Sequence, residues 1–393
     1  MGVINYLRTS KFAKASLLLQ YAIYYTIRAV FCSMWLFPIK KKRVIFLNFN
    51  GRGYGCNPKY MAEHILNDDS FEKIWLLRPS ASRNIPDGIK FVNIYSLKAI
   101  YYWATAQIWI SNNRMPLFVA KRRLQFYLQT YHGALPVKQI EGALNMPPFW
   151  QKQSKHDSSM IDLLTTDGDF STDYFSKVFW YHGEFFQNGV PRTDILINND
   201  SDRAKKIKKQ CGIDENKKVV IYAPTFRNSE SLDVYKIDVE GLKKALEQRF
   251  GCEWVIVLRL HPVLFNKQLF TDKPEYVIDM TNYPDIQELL LISDVCITDY
   301  SSVILDFMKS KKPGFIFATD YDAYAKERNY VLNPKQLPFP FAESNKSLVE
   351  NILNFNMEEY KTQLLQFNSD HGIKDNGHVG EQLWKIIEDK LEI

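Results

Sequence analysis

Residues 294–307 read DVCITDYSSVILDF. The run from Val295 to Thr298 is apolar and β-branched without a polar break, the pattern of a short strand buried on both faces. It stops at Asp299, and Ser301 and Ser302 open a stretch expected as a helix over 301–311. A buried strand feeding directly into a helix is the repeating unit of a parallel α/β sheet. The same alternation extends on both sides. VVIYAPT (219–225), EWVIVLRL (253–260), YVIDM (276–280) and PGFIFA (313–318) read as strands, with helices over 201–210, 239–250 and 285–292. Nearer the N-terminus, strands are expected over 44–48, 73–78, 89–94, 107–111, 125–130 and 161–166, with helices over 58–67 and 96–105. Two doubly wound parallel sheets follow, and the polar run Asn198-Asn199-Asp200-Ser201-Asp202 is the best linker between them. The division expected is a basic, amphipathic segment over 1–43, a first Rossmann-like domain over 44–197 and a second over 198–393.

Length and composition agree with two domains. The chain has 393 residues, 46% hydrophobic and 24% charged, which suits a packed core and excludes global disorder. Its five cysteines are scattered, odd in number and without a CxxC pair, against a disulfide framework or a structural zinc site. The formal charge of +6 favours anionic partners, but no basic-aromatic reader module points to nucleic acid.

Residues 15–37 (ASLLLQYAIYYTIRAVFCSMWLF) are the most apolar stretch. Arg28 within it argues against a membrane span, since a mid-bilayer arginine costs about 2.5 kcal/mol or more. At 100° per residue, Leu19, Ile23, Ile27, Val30, Phe31 and Met34 fall on one face, and Lys11, Lys14, Thr26, Arg28 and Ser33 on the other. That is the pattern of an interfacial helix, its cations towards lipid phosphates; the plainer alternative is an amphipathic helix packed on the domain. The loop Pro147-Pro148-Phe149-Trp150, with Lys152 and Lys155, is a second candidate for membrane contact. No small-x-small site closes the run as a cleaved signal peptide would require.

In open α/β sheets ligands bind at the carboxyl ends of the strands. Four such ends carry chemistry. Asp299, Ser301 and Ser302 close one strand; helix-start N–H groups and serine hydroxyls suit phosphate, though a serine there also simply caps the helix. Arg259-Leu260-His261-Pro262 closes another, and Ala223-Pro224-Thr225-Phe226-Arg227 a third. Gln129-Thr130-Tyr131-His132-Gly133 closes a strand of the first sheet, its glycine permitting close backbone approach. Arg227, His261, Ser301 and Ser302 are expected to hold a diphosphate, with Thr225, Arg259, Asp299 and Asp306 beside them. His132 is the candidate base, with Gly133 and Lys138 on its side of the cleft. Asp167-Gly168-Asp169 has the form of a DxD metal motif but reads better as a turn. The glycines of Gly51-Arg52-Gly53-Tyr54-Gly55 form neither a Walker A loop nor a well-placed GxGxxG.

With these residues on view, the chain resembles the CDP-glycerol glycerophosphotransferase family of teichoic acid and capsule polyol-phosphate transferases. The resemblance runs from about Val44 to about Val331 on ordered motifs: Ser111-Asn112-Asn113-Arg114, the His132-Gly133 pair followed by Lys138 and Glu141, Gly189-Val190-Pro191-Arg192-Thr193-Asp194, APTFR, LRLHP and TDYSSVILDF. Asp320, Tyr324 and Arg328 match a last motif. It implies a GT-B architecture, with two Rossmann-type domains facing a cleft. It implies a CDP-alcohol donor (CDP-glycerol or CDP-ribitol), CMP as leaving group, a lipid-linked acceptor and peripheral attachment to the cytoplasmic face of the membrane. His132 then matches the base, His261 the second essential histidine, Ser301 and Ser302 the diphosphate-binding helix start. Tyr131 stands where tryptophan is usual. No tightly bound cofactor is expected, and a divalent ion is left open. The rival expectations are a GT-B glycosyltransferase using a nucleotide sugar and a membrane-associated scaffold without activity.

Overall fold

The computed structural model describes residues 11–81, 84–133, 135–227, 232–260, 274–327 and 329–393. Strands β1 Lys40–Leu47, β2 Glu72–Leu77, β3 Ile89–Asn93, β4 Ala106–Ser111, β5 Phe126–Gln129, β6 Leu163–Thr165 and β7 Glu184–Phe186 form one parallel sheet in the order 3-2-1-4-5-6-7. Strands β8 Lys218–Tyr222, β9 Trp254–Leu258, β10 Val277–Asp279, β11 Val295–Thr298, β12 Gly314–Phe317 and β13 Phe341–Ala342 form a second in the order 10-9-8-11-12-13. Both sheets therefore reverse direction of growth beside their first strand, between β1 and β4 and between β8 and β11. Those two switch points are where a doubly wound sheet leaves room for a ligand.

The strands form because their residues are apolar on both faces and helices cover both. Val44, Ile45, Phe46 and Leu47 of β1 are wholly buried, as are Val219, Val220 and Ile221 of β8. Polar side chains start the helices between them: Ser96 accepts the amide of Ala99, Asp238 that of Gly241 and Asp285 that of Gln287.

The last helix, Val379–Leu391, follows the second sheet in the chain yet packs on the first. Val379, Leu383, Trp384 and Ile387 join Val44, Phe46, Met61 and Trp75 in one core cluster, and Trp384 Nε1 donates to the Met61 carbonyl at 2.8 Å. Trp384→Ala should therefore unfold the first domain earlier, by about 3–5 kcal/mol for a buried aromatic truncated to alanine. The urea midpoint followed by tryptophan fluorescence checks it, an unchanged midpoint contradicting the packing role.

The N-terminal helix Lys11–Ser33 lies against the first domain, with its faces turned from the sequence expectation. Arg28 points inward, donating to the carbonyls of Leu117 at 3.0 Å and Val119 at 3.3 Å, and Phe31 is buried beside Phe118. A guanidinium given fixed carbonyl acceptors is tolerated at an interface where a free one is not. Leu19 and Ile23, expected on the same face as Phe31, are exposed, so that face is split between the domain and its surroundings. The expected loop at Pro147–Trp150 is the start of a helix, Pro148–Ser158, with proline in its first turn. Its Phe149 packs between Tyr21 and Tyr24, and Lys152 donates to Tyr25 Oη at 3.0 Å. No helix among the described residues is long and apolar enough to cross a membrane.

Candidate active site in the interdomain cleft

A cleft of about 730 Å³ opens where the carboxyl ends of the two sheets face each other. The first domain contributes Tyr131, His132, Gly133 and the segment 135–141; the second contributes Thr225, Arg259, Ser301 and Ser302. The two walls come close here: a side chain at Gly133 would reach van der Waals distance of Ser302 Oγ, at 3.8 Å.

His132 is placed by a strained turn. Tyr131 has φ +48°, an uncommon conformation for a bulky residue, and its amide is held by Gln129 Oε1 at 3.0 Å. His132 Nδ1 lies 2.9 Å from the carbonyl oxygen of Asn112, which only accepts, so Nδ1 carries the proton and Nε2 keeps its lone pair. Asn112 is itself fixed, donating from Nδ2 to Asn48 Oδ1 at 2.7 Å and accepting the Phe49 amide at 2.8 Å. Burial holds the imidazole down to about 4, with the Asn112 carbonyl opposing and the Arg192 cation adding to the depression. At neutral pH the ring is uncharged and able to take a proton.

On the opposite wall the two arginines differ. Arg227, expected as a donor to the diphosphate, is 5% exposed and does not line the cleft. Its guanidinium is held by Asp299 at 2.8 Å and by Asp320 at 2.7 Å, and lies over the rings of Tyr300 and Tyr324. With two carboxylates already paired to it, it has little left for a ligand. Asp299 is correspondingly taken up, also accepting the Thr225 amide at 2.8 Å. Arg259 is in the reverse position. It lines the cleft, donates to the Thr281 carbonyl, and makes no ion pair among the described residues; its Nε is buried without a partner. Burial pulls its guanidinium below the usual value, Asp285 and Asp279 only partly opposing. A cation so poorly matched by nearby charge favours an incoming anion. Thr225 beside it has a buried hydroxyl, also without a partner among the described residues.

The helix after Asp299 is shorter than expected, Val303–Phe307, with a 3-10 turn over Met308–Ser310. So short a helix contributes little dipole, and the donors here are the serine hydroxyls and the turn's amides. Ser302 makes no capping bond; Ser301 Oγ accepts the Val303 amide at a long 3.3 Å. Asp306 is buried behind the cleft, 2.8 Å from Arg192. Lys138 lines the cleft but donates to Tyr324 Oη at 3.0 Å, across the domain boundary. The segment around it bridges the domains through its backbone as well, with Gln139 donating to the Asn329 carbonyl at 3.0 Å and Val331 to that of Val137 at 2.9 Å. His261 and Arg328 lie outside the described residues.

The carboxylates of Asp167-Gly168-Asp169 do not converge. Asp167 is buried against Lys309 at 2.9 Å, and Asp169 pairs with Lys374 at 2.7 Å. Gly53 accepts from Trp75 Nε1 at 3.2 Å, which puts the Gly51–Gly55 loop to packing use. Sequence reading placed Asn112 in a motif without giving it a role, and gave none to the apolar lining of Leu135, Ile140, Leu144 and Met146.

The chain matches the family model described as CDP-Glycerol:Poly(glycerophosphate) glycerophosphotransferase over residues 29–389. It is 31% identical over 366 residues to the teichoic acid poly(glycerol phosphate) polymerase of Bacillus subtilis (strain 168), covering 90% of this chain and 49% of that protein. It is 31% identical over 340 residues to the polymerase of the same description from Bacillus spizizenii, covering 82% and 86%. The chain thus spans about half the length of the first of these relatives. Among solved structures, that of the wall teichoic acid polymerase TagF superposes with a TM-score of 0.82 at 28% identity, covering 97% of this chain and 98% of the other. A further TagF structure was soaked with CDPG.

Proposed function

The chain belongs to the CDP-glycerol:poly(glycerophosphate) glycerophosphotransferase family, and from that premise we propose that it transfers a polyol-phosphate unit from a CDP-alcohol to a hydroxyl of a lipid-linked acceptor. The observation that carries this reading is the meeting of an uncharged His132, an Arg259 that makes no ion pair among the described residues and the Ser301–Ser302 turn around one cleft at both switch points. In the proposed step the acceptor oxygen attacks the donor's β-phosphorus while His132 Nε2 takes the hydroxyl proton. The bond from that phosphorus to the bridging oxygen breaks, and CMP leaves with the electron pair. Arg259, the Thr225 hydroxyl and the donors at Ser301 and Ser302 balance the charge gathering on the phosphoryl oxygens. Arg227, Asp299 and Asp320 hold the strand ends that carry these donors.

The donor is CDP-glycerol or CDP-ribitol. Purified protein incubated with a lipid-linked primer and each CDP-alcohol should release CMP and lengthen the primer by a polyol-phosphate mass. Release of a nucleoside diphosphate from UDP- or GDP-sugars, without CMP, would instead make it a glycosyltransferase.

The enzyme works at the cytoplasmic surface of the membrane, docked through its N-terminal helix. Support comes from the outer face of that helix and the turn after it, where Leu19, Ile23, Tyr25, Trp35, Leu36 and Phe37 stand exposed, Leu36 at 89%. Trp150 is exposed on the helix packed alongside, and Lys40 and Lys41 follow in sequence. The triple variant Leu19→Ser, Ile23→Ser, Leu36→Ser should bind phosphatidylglycerol vesicles about 10²-fold more weakly, at ~1 kcal/mol for each half-immersed side chain. Unchanged co-sedimentation would remove the helix from membrane docking.

A further inference from the structure

We infer that Arg192 is a positioning residue, a strut that fixes the base to the donor-holding turn across the domain boundary. The inference rests on the transfer reading above. Arg192 sits in the outgoing crossover between the sheets, in the turn Pro191–Thr193, and is 6% exposed. One arm of its guanidinium, Nη1, donates to the carbonyl of His132 at 2.7 Å. The other arm, Nη2, lies 2.8 Å from Asp306, on the helix that starts directly after Ser301 and Ser302. Gln287 Nε2 donates to the same carboxylate at 2.8 Å. Its backbone joins in: the Arg192 amide donates to Asn57 Oδ1 at 3.1 Å, and Asn57 Nδ2 donates to the Tyr131 carbonyl at 2.9 Å.

Two successive carbonyls of a left-handed turn, those of Tyr131 and His132, are therefore held by Arg192 and its partner Asn57. Backbone in that conformation persists where the surroundings over-determine it. A buried ion pair is weak grounds for stability, because desolvation consumes most of the attraction. Placed between the two reacting walls, it acts on geometry. A planar fork can hold a carbonyl and a carboxylate at a fixed separation, which the point charge of lysine cannot. Arg192 also acts on the imidazole's charge. The groups facing His132 are the cations Arg192 and Arg114, the carboxylate of Glu141, and the rings of Phe49 and Tyr131.

The test compares Arg192→Lys, Arg192→Gln and Asp306→Asn in the full-length protein, with folding checked by circular dichroism. Arg192→Lys and Asp306→Asn should lower kcat by about 10²-fold, the cost of an ångström of misplacement, with the Kd for CDP-glycerol within about threefold of the parent. The double variant should lose no more than the worse single one, as members of one unit do. Arg192→Gln removes a cation beside His132, so the acid limb of the kcat/KM profile should move to higher pH; a merely structural role would leave it in place. Folded variants with near-parental kcat, or with the whole loss in donor affinity, would overturn the inference. His132→Ala measured alongside separates the two readings. If it is inactive while the Arg192 variants are normal, the strut alone falls; if it is active, the base assignment falls and takes the strut with it.

Discussion

His132→Ala should lower kcat by about 10²–10⁴-fold, the range general-base catalysis supplies, while CDP-alcohol affinity changes little. The imidazole is uncharged, its Nδ1 proton is committed to the Asn112 carbonyl, and Nε2 retains the lone pair. The pH profile provides a second check. Because burial and Arg192 lower the histidine's value to about 4, the basic form is present throughout the neutral range. The acid limb of kcat/KM in the free enzyme should thus lie near pH 4, well below the ~6.5 of an unperturbed histidine. Turnover in the alanine variant within a few-fold of the parent would remove His132 from proton transfer.

The second large effect is expected at Arg259. Arg259→Gln should weaken CDP-alcohol binding about 10–100-fold, as expected when a charge-assisted contact worth ~1.5–3 kcal/mol is lost. The Arg227→Gln variant should behave differently. It leaves a buried Asp299 and a partly buried Asp320 without their cation, so its cost appears as about 3–5 kcal/mol of folding stability. Titration calorimetry with CDP-glycerol and denaturant unfolding distinguish the two. Parental affinity in Arg259→Gln would place the diphosphate elsewhere in the cleft.

The contrast between these arginines shows where the chain was legible and where it was not. The sheet strands could be read because their burial on both faces leaves continuous apolar runs, and the strand ends located the cleft without any contact being known. Both arginines stand at strand ends, so sequence placed both on the rim. What separates them is their carboxylate partners, and those of Arg227 lie 72 and 93 residues further along the chain. The strands Glu184–Phe186 and Phe341–Ala342 were missed because two or three residues carry no period. The helix Pro148–Ser158 was missed because its body, QKQSKHDS, is polar and its two prolines read as a loop. The orientation of the N-terminal helix failed for another reason. An arginine was assigned to the wet face by its charge, whereas the carbonyls of Leu117 and Val119 made the inward position habitable.

The return of residues 379–391 to the first sheet bears on how the polypeptide matures on the ribosome. At ~5–20 residues per second, the roughly 200 residues between β7 and the end of that helix take about 10–40 s to synthesise. Through that interval the nascent first domain presents an uncovered groove where Trp384 will later seat, and it is then that a chaperone would have most to shield.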